Sequence, residues 1–449
     1  MTIIEADASP EKGLFLEMFT RDLSLEDCIL DLVDNSIDSL IGSRNIKLAD
    51  SLGPFVGDGS KEEAAKKTLE PARIDITIDA KKLRISDNCG GISVKDATEE
   101  VFRFGHSKGA AMGQLGVYGI GLKRAIFKIG KLITIESRTT DDGFKMVIPV
   151  DDWAKERSWK LPLEVIDRAP DATTAGTCIT IETYTPEVAE RLKSGTFEGH
   201  LKEMIGRTYC LFLTRFVEVC LNGHKVEPIP IPMGRSDDVN VAKEEFVEND
   251  VTVIMYSGLA ARGSDGEWQA TDAGWYVACN GRLVVAADKT ETTGWGIGLP
   301  TYQPKYRGFI GLVFFLSENP LALPWTTMKR GLNQESLVYQ RTRAKMATIG
   351  RPVLSFLNDL YSSEETERLP QREVAQAIRP VDVRELTAQP MNTFEIKKRP
   401  PGEATVRVQY DAKQVEVNRI KRCIAKSTWS AARIGKYTFD HFLKTECPE

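Results

Sequence analysis

The sequence predicts an α/β protein of the α+β kind, in which amphipathic helices alternate with hairpin-connected strands. Three observations predict it. Apolar residues at 25, 29, 32, 33, 37, 40 and 41 recur with the period of a helix. Ile74, Ile76 and Ile78 alternate with polar residues, and Leu83-Arg84-Ile85-Ser86 follows as a second short run, the pattern of a hairpin. A glycine cluster, Gly116-x-x-Gly119-x-Gly121-x-Lys123, passes directly into the helical pattern of Ala125, Ile126 and Ile129.

The bulk numbers bound the rest. A chain of 449 residues exceeds one small core, and two to three domains are expected. With 42% hydrophobic and 27% charged residues and a net charge of −5, neither wholesale disorder nor a globally basic nucleic-acid binder is indicated. No apolar run is long enough to span a bilayer and no signal-peptide core follows Met1, so a cytoplasmic location is expected. The eight cysteines form no C-x-x-C pair; Cys178, Cys210, Cys220 and Cys279 lie in apolar runs and read as buried free thiols. Four histidines without H-E-x-x-H spacing argue against a histidine-built metal site.

Taken in order, residues 1–23 read as an extended lead-in. Ser24 then suits an N-cap, with Asp27 in a capping-box position. On the helix that follows, Asp31, Asn35 and Asp38 are spaced i, i+4, i+7 and line one stripe. Hydrogen-bonding groups beside a buried face suit metal–phosphate chemistry, although a solvated acidic face gives the same spacing. Residues 42–71, with Gly53-Pro54 and Gly57-Asp58-Gly59, read as a surface insertion. The hairpin beyond it delivers Asp87-Asn88-Cys89-Gly90-Gly91-Ile92, either a strand-end carboxylate aimed at a pocket or a plain turn. A helix is expected over 94–104. The donor-rich 105–113 segment, with Ser107 and Lys108, has the composition of a lid; His106 in it reads as a bystander. In the glycine cluster, Val117 and Ile120 intervene between glycines that let another group approach, and a helix start offers free N–H groups to an anion.

Strands are expected at 133–137, 144–148 and 178–181, the last after Gly176-Thr177, with an Asn222-Gly223 hairpin over 217–226. Further strands read at 251–256, 274–285 (turning at Asn280-Gly281-Arg282) and 310–316. A basic loop carrying Lys329, Arg330 and Gly331 and a helix from 334 to about 360 follow. Five prolines between 370 and 401 mark a linker-like stretch. From 397 to 436 there are eleven Lys/Arg against three acidic residues, a net +8, with helices read at 415–425 and 438–446. Such a module suits a phosphate backbone and equally suits a solvated helical cap.

In this order and spacing the motifs resemble the GHKL ATPase superfamily of gyrase B, the 90-kDa heat-shock chaperone, histidine kinases and MutL, nearest to MutL/MORC-like bacterial ATP-binding proteins. The resemblance covers about residues 15–225 and, more weakly, 235–360. It implies a Bergerat-type ATP-binding α/β sandwich over 1–230 (insertion about 42–71), a transducer-like α/β domain over 231–361, and a linker with a small basic helical module over 362–449. It implies ATP and Mg²⁺ as ligands, with Asn35 as the metal residue and Asp38 beside it. Asp87 would accept the adenine amine, Gly91 and Ile92 would lie close to the base, and Thr177 would share a water with Asp87. Gly116, Val117, Gly119, Ile120 and Gly121 would cradle the phosphates with Ser107, Lys108 and Lys123. Lys329 would reach the γ-phosphate, and Asp31 would be the base that activates water. Two positions depart from the family pattern: Asp31 stands where the family has a glutamate, and Cys89 where it has a glycine.

The function so implied is Mg-dependent ATP binding and slow hydrolysis driving lid and domain closure and nucleotide-dependent dimerisation. The role would be DNA-associated, in repair, silencing or anti-phage defence, with DNA contacted through the basic module or an operon-encoded protein as partner. The rival is a chaperone-like ATPase acting on protein clients. No phospho-acceptor helix and no strand-cleaving domain argue for a sensor kinase or a topoisomerase.

Overall fold

The computed structural model describes residues 11–46, 70–103, 115–116, 119–213, 215–361, 375–386, 390–396, 408 and 411–447. Contacts divide the chain into two compact units, Met1–Lys397 and Lys398–Glu449.

The first unit opens with helix α1 (Lys12–Thr20), where an extended lead-in was expected. Its own pattern is too short to nucleate a helix. Tertiary contacts hold it instead: Lys12 Nζ donates to the Trp153 carbonyl at 2.8 Å and lies 4.0 Å from the Trp153 ring, while Phe15 meets Trp159 edge-on. Helix α2 (Leu25–Ser43) starts at Ser24, and the expected capping box forms in both directions with Asp27.

Strands β1 (Ala72–Ile78) and β2 (Lys82–Asp87) make the expected antiparallel hairpin, pairing Ile76 with Ile85. The helix expected over 94–104 is one α turn, Val94–Asp96, running into a π-helical turn, Ala97–Val101. Helix α3 (Gly121–Ile129) follows the glycine cluster and leads straight into β3 (Gly130–Arg138), which pairs with β4 (Gly143–Pro149). Helix α4 (Val150–Lys155), β5 (Leu163–Ile166), β6 (Gly176–Tyr184), α5 (Pro186–Leu192), α6 (Phe197–Thr208), β7 (Val217–Leu221) and β8 (His224–Lys225) complete this half. Asn222 and Gly223 both take positive φ, as the tight turn between β7 and β8 demands.

The eight strands form one mixed sheet in the order β5-β4-β3-β6-β2-β1-β7-β8, parallel only between β1 and β7. Ile74, Ile76, Leu83, Ile133, Ile135 and Ile181 are fully buried in the core that also takes the apolar side of α2 and of α3. At about 25 cal/mol per Å² this burial is the main force holding the helices in place.

A second, five-stranded sheet has the order β9-β10-β13-β11-β12, from β9 (Ala242–Glu248), β10 (Val251–Leu259), β11 (Gly274–Cys279), β12 (Arg282–Asp288) and β13 (Phe309–Leu316). Only β11 and β13 run parallel. Every residue of β11 is buried, and helix α7 (Leu337–Leu360) packs across β10 and β13. In the second unit, α8 (Gln414–Cys423) and α9 (Ala431–Glu446) form a small helical pair, α9 beginning seven residues earlier than its pattern suggested because Ser430 caps it through the Arg433 N–H. All eight cysteines are free; Cys178 is half-buried rather than buried.

Candidate nucleotide site

Helix α2 is the common wall of the site. It buries Glu26, Asp27, Asp31, Asp34 and Asp38. A buried carboxylate must be paired or hydrogen-bonded, and Asp31, Asp34 and Asp38 are each answered from a different part of the chain.

At the β2 end, Asp87 Oδ1 accepts from the Cys89 N–H at 3.0 Å and the Thr177 N–H at 3.2 Å, and Oδ2 accepts from the Ser36 hydroxyl of α2 at 2.7 Å. Burial pushes the carboxyl above its usual range, and those three donors pull it back. A carboxylate has about four lone-pair sites, so one acceptor position remains. Thr177 thus reaches Asp87 through its backbone; its hydroxyl lies 2.9 Å from the Ser137 hydroxyl. Ile92 donates its N–H to Ser137 Oγ at 2.7 Å. Gly91 has φ +75°, and a Cβ there would lie 2.3 Å from the Arg138 carbonyl oxygen, so the close approach it permits is to β3. Gly176, not singled out in the sequence, has the same character: a Cβ there would sit 1.9 Å from the Asp87 carbonyl oxygen.

At the other end, Asp38 accepts from the backbone N–H groups of Leu115 and of Gly116 (2.5 Å for the latter), which ties the glycine segment to α2. Burial raises this carboxyl to about 7 even though Lys329 and the two amides oppose it. A Cβ on Gly116 would lie 2.7 Å from Asp38 Oδ2. Asn35 donates its amide N–H to the Asp31 carbonyl at 2.7 Å, which fixes the amide plane and leaves its oxygen as the group able to bind a cation. Gly119 has φ +58°, and Ile120 precedes α3 with no side-chain cap on the helix start. Lys123 is buried and donates to the Val101 and Arg103 carbonyls at 2.7 and 2.8 Å; burial lowers its pKa to about 8. It thereby anchors the chain leading into the expected lid. Ser107, Lys108, Val117 and the 107–113 lid lie outside the described residues.

Asp31 is buried, and burial raises its carboxyl against the pull of Lys329. Its Oδ2 lies 3.4 Å from Arg124 Nη2, and a Cβ on Gly121 would come within 3.4 Å of the same carboxylate.

The densest cluster centres on Asp34, which the stripe of Asp31, Asn35 and Asp38 had passed over. Arg282 Nε donates to its two oxygens at 2.9 and 3.2 Å and Lys329 Nζ to Oδ2 at 2.7 Å, while Tyr209 Oη lies 2.6 Å from Oδ1. Burial alone would raise this carboxyl, but Arg282 and Lys329 outweigh it and hold it below the usual range. Arg282 Nη1 also donates to the Lys329 carbonyl at 2.7 Å, and Lys329 takes φ +53°. The lysine expected at a phosphate therefore rests on α2. The signal for Asp34 was present: it interrupts the apolar stripe Leu30, Ile37, Ile41 at helical spacing, where a charge requires a partner.

A glycine segment opens helix α3 and a buried carboxylate closes strand β2, without a G-x-x-x-x-G-K-[ST] loop. The mixed α/β architecture and this arrangement are consistent with a GHKL-type fold rather than a P-loop or Rossmann one. Residues 23–177 match the family model described as histidine kinase-, DNA gyrase B-, and HSP90-like ATPase. Over this segment the chain is similar to GHKL-type ATPases, and the match supports ATP binding and hydrolysis. No curated protein matches the chain. Among the described residues no helix is long and apolar enough to cross a membrane.

Proposed function

We propose that the chain binds Mg-ATP along α2 and hydrolyses it slowly, with Asp87 taking the adenine amine and the 116–121 segment the phosphates. The observation that carries this reading is Asp87 itself, a carboxylate fixed by two amides and a hydroxyl with one acceptor position remaining. Mg²⁺ would be held chiefly by the phosphates, with the Asn35 oxygen from the protein; it would neutralise charge on the triphosphate. The donor set fits, because the acids nearby already face cations or amides and leave the neutral amide oxygen as the additional ligand.

Asp31 is the base in this reading. Lys329 rests on Asp34 without nucleotide and moves to the γ-phosphate when ATP binds, which links the 1–230 domain to the 231–361 domain. Lys123 acts by holding the root of the lid. Calorimetry tests the site directly: Asp87→Asn should abolish ATP affinity, whereas Asp31→Asn should keep affinity and lose turnover. Unchanged ATP binding by Asp87→Asn would remove the proposed base pocket.

The finer role we assign is MutL/MORC-like: ATP-driven closure and dimerisation on DNA. It is favoured by the second unit, where Arg419 and Arg422 are exposed on α8 and Arg433 of α9 stacks 4.4 Å over Trp429. The chaperone-like alternative has no observation of its own; DNA retention that is absent at every salt concentration would favour it.

A further inference from the structure

We infer that Arg124 is a ligand of the terminal phosphate, and that a nucleoside triphosphate frees Asp31 for catalysis by drawing this arginine away. The inference rests on the ATP-site reading above and adds a residue and a coupling to it.

Arg124 stands one turn inside α3, and only 7% of it is exposed. A guanidinium has five N–H donors in a planar fork. Here Nη2 reaches Asp31 Oδ2 at 3.4 Å, and Nε is buried with no partner among the described residues. An arginine serving only to neutralise Asp31 would close to about 2.7–2.9 Å and use two of its donors. A buried cation with one long contact is undercompensated, so the site is built for an anion with more oxygens than one carboxylate can present there. Its position says which anion. Gly121, at the start of the same helix, approaches the same carboxylate, so the guanidinium, Asp31 and a helix start without a side-chain cap converge on one point. A γ-phosphoryl group seated on the amides of that helix start carries three non-bridging oxygens and outcompetes Asp31 for the fork.

The consequence is an ordered step. Arg124 turns to the γ-phosphoryl oxygens and Asp31 loses its cation. A water oxygen then bonds to the γ-phosphorus as the bond from that phosphorus to the β–γ bridging oxygen breaks. The water proton goes to Asp31, and ADP and phosphate leave. ADP has no γ-phosphoryl group and leaves the Arg124–Asp31 pair intact.

The test uses the full chain with Mg²⁺ and calorimetric titration of a non-hydrolysable ATP analogue and of ADP into wild type, Arg124→Ala and Arg124→Lys. The expected result is a loss of about tenfold or more in analogue affinity for Arg124→Ala, partly restored by Arg124→Lys, with ADP affinity within about twofold of wild type throughout. Equal losses for analogue and ADP, or no loss for either, would overturn the inference. Should Arg124→Ala fail to fold, Arg124→Lys carries the same comparison. Wild type binding neither nucleotide would overturn the site reading itself, a different outcome from wild type binding both and the variants failing to discriminate.

Discussion

Asp38 shows how much one side chain carries in this site. Two amides of the glycine segment are tied to it, yet burial lifts its carboxyl to about 7. Its unfolded value is about 4. An acid with a raised native pKa binds more protons folded than unfolded between those two values. Stability attached to it is therefore greatest below about pH 4, declines as pH rises to about 7, and is level above. Asp31 and Asp87 are shifted in the same direction and steepen the decline. Asp38→Asn should flatten part of it: the melting temperature of the variant should vary less between pH 4.5 and 7 than that of wild type. Parallel profiles would mean that Asp38 is not raised. The stripe of Asp31, Asn35 and Asp38 was readable because its spacing is local. Which of these groups is charged, and that Lys123 turns to carbonyls of the 94–103 segment, depends on burial and on neighbours distant in sequence.

At the scale of elements, the hairpin β1–β2, the β3–β4 pair and the Asn-Gly turns were legible because each is written in consecutive residues. The β2–β6 and β3–β6 pairings were not, since they join residues about 95 and 45 positions apart. Yet they shape the surroundings of Asp87. Gly176 lets β6 pass close to the Asp87 carbonyl, and only hydrogen fits in the space a Cβ would need. Gly176→Ala should push β2 and β6 apart at that point and detach the Thr177 N–H from Asp87. The expected outcome is about a tenfold or greater loss of ATP affinity by calorimetry with an unchanged far-UV circular dichroism spectrum. Unaltered affinity would show that Asp87 does not need the β6 amide. Helix α1 was missed for the opposite reason: its helicity comes from docking Lys12 and Phe15 against Trp153 and Trp159, and nine residues carry too little local signal.

For the whole molecule, the charge balance separates the two units. The chain is net −5 although residues 397–436 alone are +8. If the second unit binds duplex DNA, retention should fall steeply with salt, each neutralised phosphate adding about 0.9 to the slope of log affinity against log salt. Replacing Arg419, Lys421 and Arg422 together with Gln should weaken binding and reduce that slope in a filter-retention titration. An unchanged slope would place any DNA contact elsewhere. The α/β class and the motifs of the 23–177 segment were visible in composition and period. The coupling of the two sheets through Asp34 was not, because it joins Arg282 and Lys329 to a residue near the other end of the unit.

That span has a consequence in time. Asp34 and Lys329 are 295 positions apart. At about 5–20 residues per second, roughly 15–60 s of translation separate the appearance of the acid from that of its lysine. Arg282 emerges 47 residues before that lysine, and until both are out the newborn nucleotide domain holds an incompletely paired aspartate, so its last packing step waits for the far segments to emerge.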